Sequence, residues 1–324
     1  MKLKKVLKVM KKAQVIGDQD IQLLDSFSTF LRSQGKQPST VESYRRDALH
    51  FLEFIAGHSI GLTEVESGTL SFFQKELISS HERGNSIRRS IIGIRQFFRF
   101  LSLSKVIAES PLDLCPIPER NDQLPADLCV DDIESLLESI SVESNSFKRT
   151  RDTLILSLLA FEGLKASELI ELRRSDILRG IGHTSIKIHG QRERSINASE
   201  ETSRHVALYL DQLSILMNEF PSLSKSDAHL IVSFKGRDAA VPVPKLTRHG
   251  LKFIVYELGV SGGMKHLNSE LLRHFAVGYL ISLERSPEEI MNHLGLRTLG
   301  NIGKHLAQHR LAYQQTRSLE KHDV

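Results

Sequence analysis

At 324 residues, 40% of them hydrophobic and 25% charged, the chain can bury a sizeable core, and its length favours two domains over one. No apolar run reaches the length of a membrane span, and the start, "MKLKKVLKVMKK", places six lysines among short apolar pairs with no cleavage site, which predicts a cytoplasmic protein with no membrane partner. A net charge of +4 and a pI near 9.0 admit a polyanionic partner, but only if the charge is clustered.

Residues 1–19 read as a solvated basic tail, and residues 20–108 as an all-helical region. "STVESYRRDALHFLEFIAG" opens with Ser39 and Glu42 at capping-box spacing and sets Tyr44, Ala48, Phe51, Leu52 and Ile55 on one stripe, with Arg45 and Arg46 near its head. "NSIRRSIIGIRQFFRFLSL" repeats the design with Ile91, Ile94, Phe98 and Leu101. Its Arg88, Arg95 and Arg99, spaced by seven and four, share a helical face that is either a solvated stripe or a phosphate-tracking one. Four of the nine prolines fall between Pro111 and Pro125, so residues 109–124 read as an extended linker. Cys115 and Cys129, which flank a loop-like stretch, are ordinary thiols and give no disulfide framework.

Residues 125–324 read as a mixed domain. "RTRDTLILSLLAFEGLKASELIELRRSDIL" gives two helices broken at Gly163. "HTSIKIHG" alternates as a strand, turns at Gly190 and continues into "RERSINAS", a hairpin that must pack on neighbouring helices. From "VALYLDQLSILMNEF" onward the chain reads as helical to its end, with Lys245, Arg248 and Lys252 of "PKLTRHGLKF" on one basic face that is either solvated or aimed at a phosphate backbone. "LLRHFAVGYLIS" carries Arg273 and His274 at the head of an apolar helix, where the guanidinium either snorkels to solvent or is aimed at an anion. His305 and His309 lie on one helical face, but no glutamate follows the first and no third ligand is evident, so neither a metal nor another cofactor is expected. The fold class is thus mainly α with a small antiparallel β-sheet, in two domains.

The order of "GLKASELIELRRSDI", the hairpin, "NSELLRHFAVGYL" and "IMNHLGLRTLGNIGKHL" resembles the motifs of the tyrosine recombinases, the Xer and phage-integrase family. The helical region, through "TVESYRRDALHFLEFI" and "SIRRSIIGIRQFFRFLS", resembles that family's core-binding, SAM-like domain. The resemblance runs from about residue 20 across nearly the whole chain, and implies a two-domain clamp on double-stranded DNA. In that family two arginines, a hairpin lysine and two further proton-handling groups surround a scissile phosphate that a tyrosine attacks.

Position by position, the resemblance implies a degenerate site. Lys165 replaces the first arginine, losing the planar fork, while Glu168 of the same motif is retained. Gln191 stands for the hairpin lysine, with Arg192 or Arg194 as substitutes. Glu270 replaces a histidine, Arg273 and His274 remain, and Leu296 replaces a donor after "LG". The nucleophile's place falls on His305, or on Gly303 when counted back from "HRLAY"; Tyr313 lies beyond it. A carboxylate about 4 Å from a phosphate oxygen would be repelled by roughly 4 kcal/mol at an effective dielectric near 20, so Glu270 is expected to be bridged to Lys165 or Arg273.

The resulting expectation is a DNA-binding member of a recombination and integration system, nucleoid-associated and carried on a mobile element, that does not cut. It would act as an accessory or regulatory partner, as a homo-oligomer or together with an active recombinase. The alternatives are an active recombinase using His305 or Tyr313 with Arg192, and a protein–protein adaptor that has dropped DNA.

Overall fold

The computed structural model describes residues 17–80, 84–111, 116–119, 128–143, 145–180, 183–190, 192–225, 228–235 and 241–298. The chain divides into two compact units, Met1–Gln123 and Leu124–Val324. No helix among the described residues is long and apolar enough to cross a membrane.

The first unit is built from helices α1 (Asp18–Ser33), α2 (Pro38–Gly57), α3 (Ser67–Ser79) and α4 (Gly84–Leu103). Aromatic side chains fill its core: Phe27, Phe51, Phe73, Phe97 and Phe98 are all fully buried. Several meet edge-to-face, as in Phe27–Phe97 at 5.2 Å and Phe51–Phe98 at 5.8 Å, which sets the electropositive ring edge against a π face. Ala48, Phe51, Leu52 and Ile55 of α2, and Ile91, Ile94, Phe98 and Leu101 of α4, lie in this core, while Tyr44 packs against its margin. Helices α2 and α4 approach closely at Gly93, where a Cβ would stand 3.1 Å from the Tyr44 ring. One expected detail is corrected: α2 is capped by Gln37 and starts at Pro38, so Ser39 and Glu42 lie inside the helix. Proline at the first position already has the helical φ and lacks only an N–H that would go unpaired there, so it moves the start ahead of the serine.

The second unit begins with α5 (Val130–Ser141), α6 (Ser146–Ala160) and the short α7 (Ala166–Glu171). Every residue of α6 from Leu154 to Ala160 is buried, which makes it the central helix, and α8 (Glu200–Glu219) and α10 (Ser269–Ser282) pack against it. Strands β1 (Ile177–Arg179), β2 (Thr184–Ile188) and β3 (Arg194–Asn197) form an antiparallel sheet in sequence order, with Ile186 opposite both Ile177 and Ile196. Alternation buries Thr184, Ile186 and Ile188 of β2 on one face, as its sequence pattern requires.

The expectation of helix from α8 to the end is corrected by β4 (Ser233–Lys235) and β5 (Val241–Val243), an antiparallel pair in register Phe234–Pro242. Three residues are too few to display alternation, and Pro242 in the second strand hides the signal further. Helices α9 (Arg248–Ser261), α10 and α11 (Pro287–Leu294) complete the described part. Left-handed glycines turn the chain at helix ends, among them Gly163, at φ +60° between α6 and α7, and Gly295, at φ +61° capping α11.

Candidate functional site

The site is organised around one carboxylate. Lys165 caps α7, and Glu168, three residues on, folds back so that its Oε2 accepts the Lys165 backbone N–H at 2.9 Å. This capping box fixes the direction in which Glu168 points. Arg194, the first residue of β3, meets it with a two-pronged contact: Nη1 to Oε1 at 2.9 Å and Nη2 to Oε2 at 3.1 Å. The Nε of Arg194 also donates to the His293 carbonyl at the end of α11, 2.6 Å away. A single guanidinium therefore ties the hairpin to α7 and α11. Lys165 Nζ is 3.6 Å from Glu168, and Arg273 Nη1 is 4.0 Å from it.

Arg273 does not snorkel. Its side chain is 8% exposed, and its two Nη groups donate to the main-chain carbonyls of Gly163 and, at 2.7 Å, Leu294. Both acceptors adjoin the left-handed glycine turns or include them, so those turns aim carbonyls at the guanidinium. Burial pulls the Arg273 guanidinium down from its ordinary pKa, against the opposing pull of Glu168 and Glu270. Burial alone would push the Glu168 carboxyl up. The hydrogen bonds from Arg194 and from the Lys165 N–H, with the charges of both side chains, outweigh it and leave the carboxyl below the usual range.

The expected bridge from Glu270 to Lys165 or Arg273 is corrected: the internal carboxylate is Glu168. Glu270 is 76% exposed, and its carboxylate stands 3.9 Å from His274 Nε2. It lies in the first turn of α10, which Asn268 caps by accepting the N–H groups of Glu270 and Leu271. A carboxylate is favourable at that electropositive helix end without any arginine partner. Leu296 packs into the apolar cluster of Val277, Leu280, Ile290 and Leu294. Gly295 brings the hairpin close, since a Cβ there would stand 2.8 Å from Arg194 Nη1 and 3.3 Å from Arg192 Cβ. Lys165, Arg192, Arg194, Arg273 and Leu296 are thus drawn toward one locality, with Glu270 and His274 on the outward side of α10. Gln191, His305, His309 and Tyr313 lie outside the described residues.

The remaining cationic positions divide. In the first unit, Arg45 is paired with Asp25 at 2.9 Å, and Arg88 donates to the Pro118 carbonyl. Arg46 and Arg99 are exposed, and Arg95 is half-buried. In the second unit, Lys245 precedes α9 and is held by both oxygens of Glu171, at 2.8 and 2.9 Å, while Arg248 and Lys252 are exposed on the helix itself.

Two buried polar networks were missed in the sequence. Glu162, 2% exposed, accepts the Ser199 N–H at 2.9 Å and stands 3.3 Å from His293 Nε2. Burial raises its carboxyl, but His293, the Ser199 N–H and Thr202 outweigh that and hold it low. A carboxylate ending the apolar run "LILSLLAFE" was the available signal. Asp47, 5% exposed, takes Arg89 Nε at 3.2 Å and Nη2 at 3.1 Å, with the Ser90 hydroxyl at 3.0 Å.

Comparison with known proteins agrees with this framework. The family "Phage integrase, N-terminal SAM-like domain" matches residues 24–105. Tyrosine recombinase XerD of Vibrio vulnificus is 25% identical over 307 residues, spanning 93% of this chain and 96% of that protein. Tyrosine recombinase XerC of Staphylococcus aureus is 24% identical over 266 residues, 81% of this chain and 84% of that one. Among solved structures, XerH site-specific recombinase bound to palindromic difH substrate in a post-cleavage complex superposes with a TM-score of 0.68 at 17% identity, covering 87% of this chain and 80% of that one. A lambda integrase dimer bound to a COC' core site gives 0.60 at 14% identity, over 88% and 76%; these two likenesses speak for the fold. The chain is thus similar to tyrosine recombinases over most of its length, with the SAM-like domain match confined to its first unit.

Proposed function

We propose that this protein binds double-stranded DNA within a site-specific recombination or integration system and does not itself cut the strand. The observation that carries the reading is the composition of the locality around Arg273. Two guanidiniums, Arg194 and Arg273, are built in and held, whereas the positions that should handle protons carry an exposed carboxylate, Glu270, and an alkyl group, Leu296. Cations without a proton donor can seat a phosphate, but they leave the departing oxygen without its proton. Lys165 keeps a charge without the two-pronged geometry of the arginine it replaces. Such a protein would serve as an architectural or regulatory partner of a cutting recombinase, as a homo-oligomer or in a mixed assembly, at the nucleoid.

Phosphate contacts by several of Arg46, Arg99, Arg192, Arg248, Lys252 and Arg273 predict that duplex affinity falls steeply as salt rises. Binding that ignores salt, or no binding to any duplex, refutes the proposal. Incubation with a nicked suicide duplex is expected to give no covalent protein–DNA adduct. An adduct abolished by His305→Ala or Tyr313→Phe would instead establish a working enzyme with an unusual nucleophile.

A further inference from the structure

We propose that the cleft between α2 and α4 reads a guanine through Arg89, with Asp47 as the residue that positions it. This rests on the DNA-binding reading above and adds a sequence-reading element to it.

The cleft is a cavity of about 470 Å³, lined from α2 by Arg46, His50 and Glu53 and from α4 by Ser86 and Arg89, with Asp47 at its base. Arg46, His50 and Glu53 succeed one another at helical spacing, so they form one stripe facing the opposite helix. Asp47 is buried and grips Arg89 along one edge only, the Nε–Nη2 edge, at 3.2 and 3.1 Å. The Ser90 hydroxyl donates to the same carboxylate at 3.0 Å, which fixes Asp47 in turn. A guanidinium has five N–H groups in a rigid plane, so holding that edge presents the Nη1–Nη2 end as a second, parallel pair of donors. The Arg89 side chain is 40% exposed and lines the cleft, so a guanidinium not wholly covered by Asp47 is open to a ligand there.

Two parallel donors at that spacing match the O6 and N7 acceptors of guanine in the major groove. Two features favour a base edge over a backbone phosphate. Glu53 is an exposed carboxylate in the same cleft, which repels phosphate but accepts from the exocyclic amine of cytosine or adenine. Asp47 also neutralises part of Arg89's charge while fixing its plane, and a fixed plane serves base recognition far more than it serves attraction to a phosphate. Arg88 and Arg45 contrast with this, since the first engages a main-chain carbonyl and the second a surface aspartate.

The test uses the full-length protein. A preferred duplex is selected from a randomised pool, and its affinity and those of all single-base-pair variants are measured across a salt series. The wild type is expected to discriminate one G·C pair by about 5- to 150-fold. Arg89→Lys, which keeps the charge, should lose that preference alone and keep the salt slope, and Asp47→Asn should weaken the same preference with Arg89 still in place. The proposal is overturned if Arg89→Lys retains full discrimination at every position. It is equally overturned if Arg89→Ala weakens all sequences uniformly and lowers the salt slope by about 1, the behaviour of a phosphate contact. Failure of the wild type to bind any duplex would overturn this and the DNA-binding reading together, whereas binding with an unchanged preference pattern in the variants overturns this inference alone.

Discussion

Replacing Glu168 with Gln removes the anion on which Arg194, Lys165 and Arg273 converge. Arg194 and Glu168 are 9% and 10% exposed, so both stand largely out of water, whereas Lys165 is 44% exposed and loses little. The amide keeps one acceptor but leaves two guanidiniums without a counter-charge. Hydrogen bonds to charged groups contribute about 1.5–3 kcal/mol, and stranding a buried charge costs about 3–5 kcal/mol. The expected loss is about 3 kcal/mol, or roughly 6–12 °C in Tm for a unit of this size. Urea unfolding of Glu168→Gln, Arg194→Met and the double variant should give a coupling of about 2 kcal/mol. A coupling below about 0.5 kcal/mol would mean that the hairpin is held by apolar packing, and the reasoning would fail. The acid limb gives a second reading. Because the folded carboxyl lies below its unfolded value, its contribution is complete above the ordinary carboxylate range and disappears as pH falls through the folded value. Glu168→Gln should therefore flatten part of the decline in Tm as pH falls below the ordinary carboxylate range.

Gly163→Ala should destabilise by about 2–4 kcal/mol, because its Cβ would stand 2.4 Å from Leu294 Cδ2 at a left-handed φ; an unfolding midpoint equal to wild type would refute this. Tyr209→Phe should cost about 1–3 kcal/mol in urea unfolding. Its buried hydroxyl, pushed up to about 12, donates to the Leu230 carbonyl at 2.9 Å and accepts the Val232 N–H at 3.1 Å. Glu270→Gln should stay within about 0.5 kcal/mol of wild type in the same assay, since its carboxylate is solvated; a loss above about 2 kcal/mol would restore the internal bridge to Arg273.

The helical first unit was legible because its apolar stripes are long and regular: Phe51 and Ile55, or Ile91, Ile94 and Phe98, repeat at the helical period and are all buried. The break at Gly163 and the β2–β3 hairpin were legible from their glycines, Gly163 and Gly190, both of which have positive φ in the structure. Strands β1, β4 and β5 were not, because three residues carry no period. At the candidate site, the sequence pointed to Lys165, Glu168, Arg194 and Arg273 but not to how they pair. Glu270 is three residues from Arg273, so adjacency along the helix suggested a bridge, yet the two side chains leave the helix toward different surroundings. Glu168 meets Arg194 across 26 residues and Arg273 across 105, and nothing local announces either contact. The Asp47–Arg89 pair was hidden in the same way, by a separation of 42 residues.

The two main-chain acceptors on Arg273 bear on how its presence should be interpreted. A guanidinium moored to the Gly163 and Leu294 oxygens stitches the loop before α7 to the end of α11, and that duty continues whether or not an anion ever arrives. Solvent-facing neighbours such as Glu270 carry no comparable obligation, so they can change without disturbing the scaffold. The presence of this arginine therefore testifies to architecture, and the chemistry of the pocket has to be judged from the groups around it.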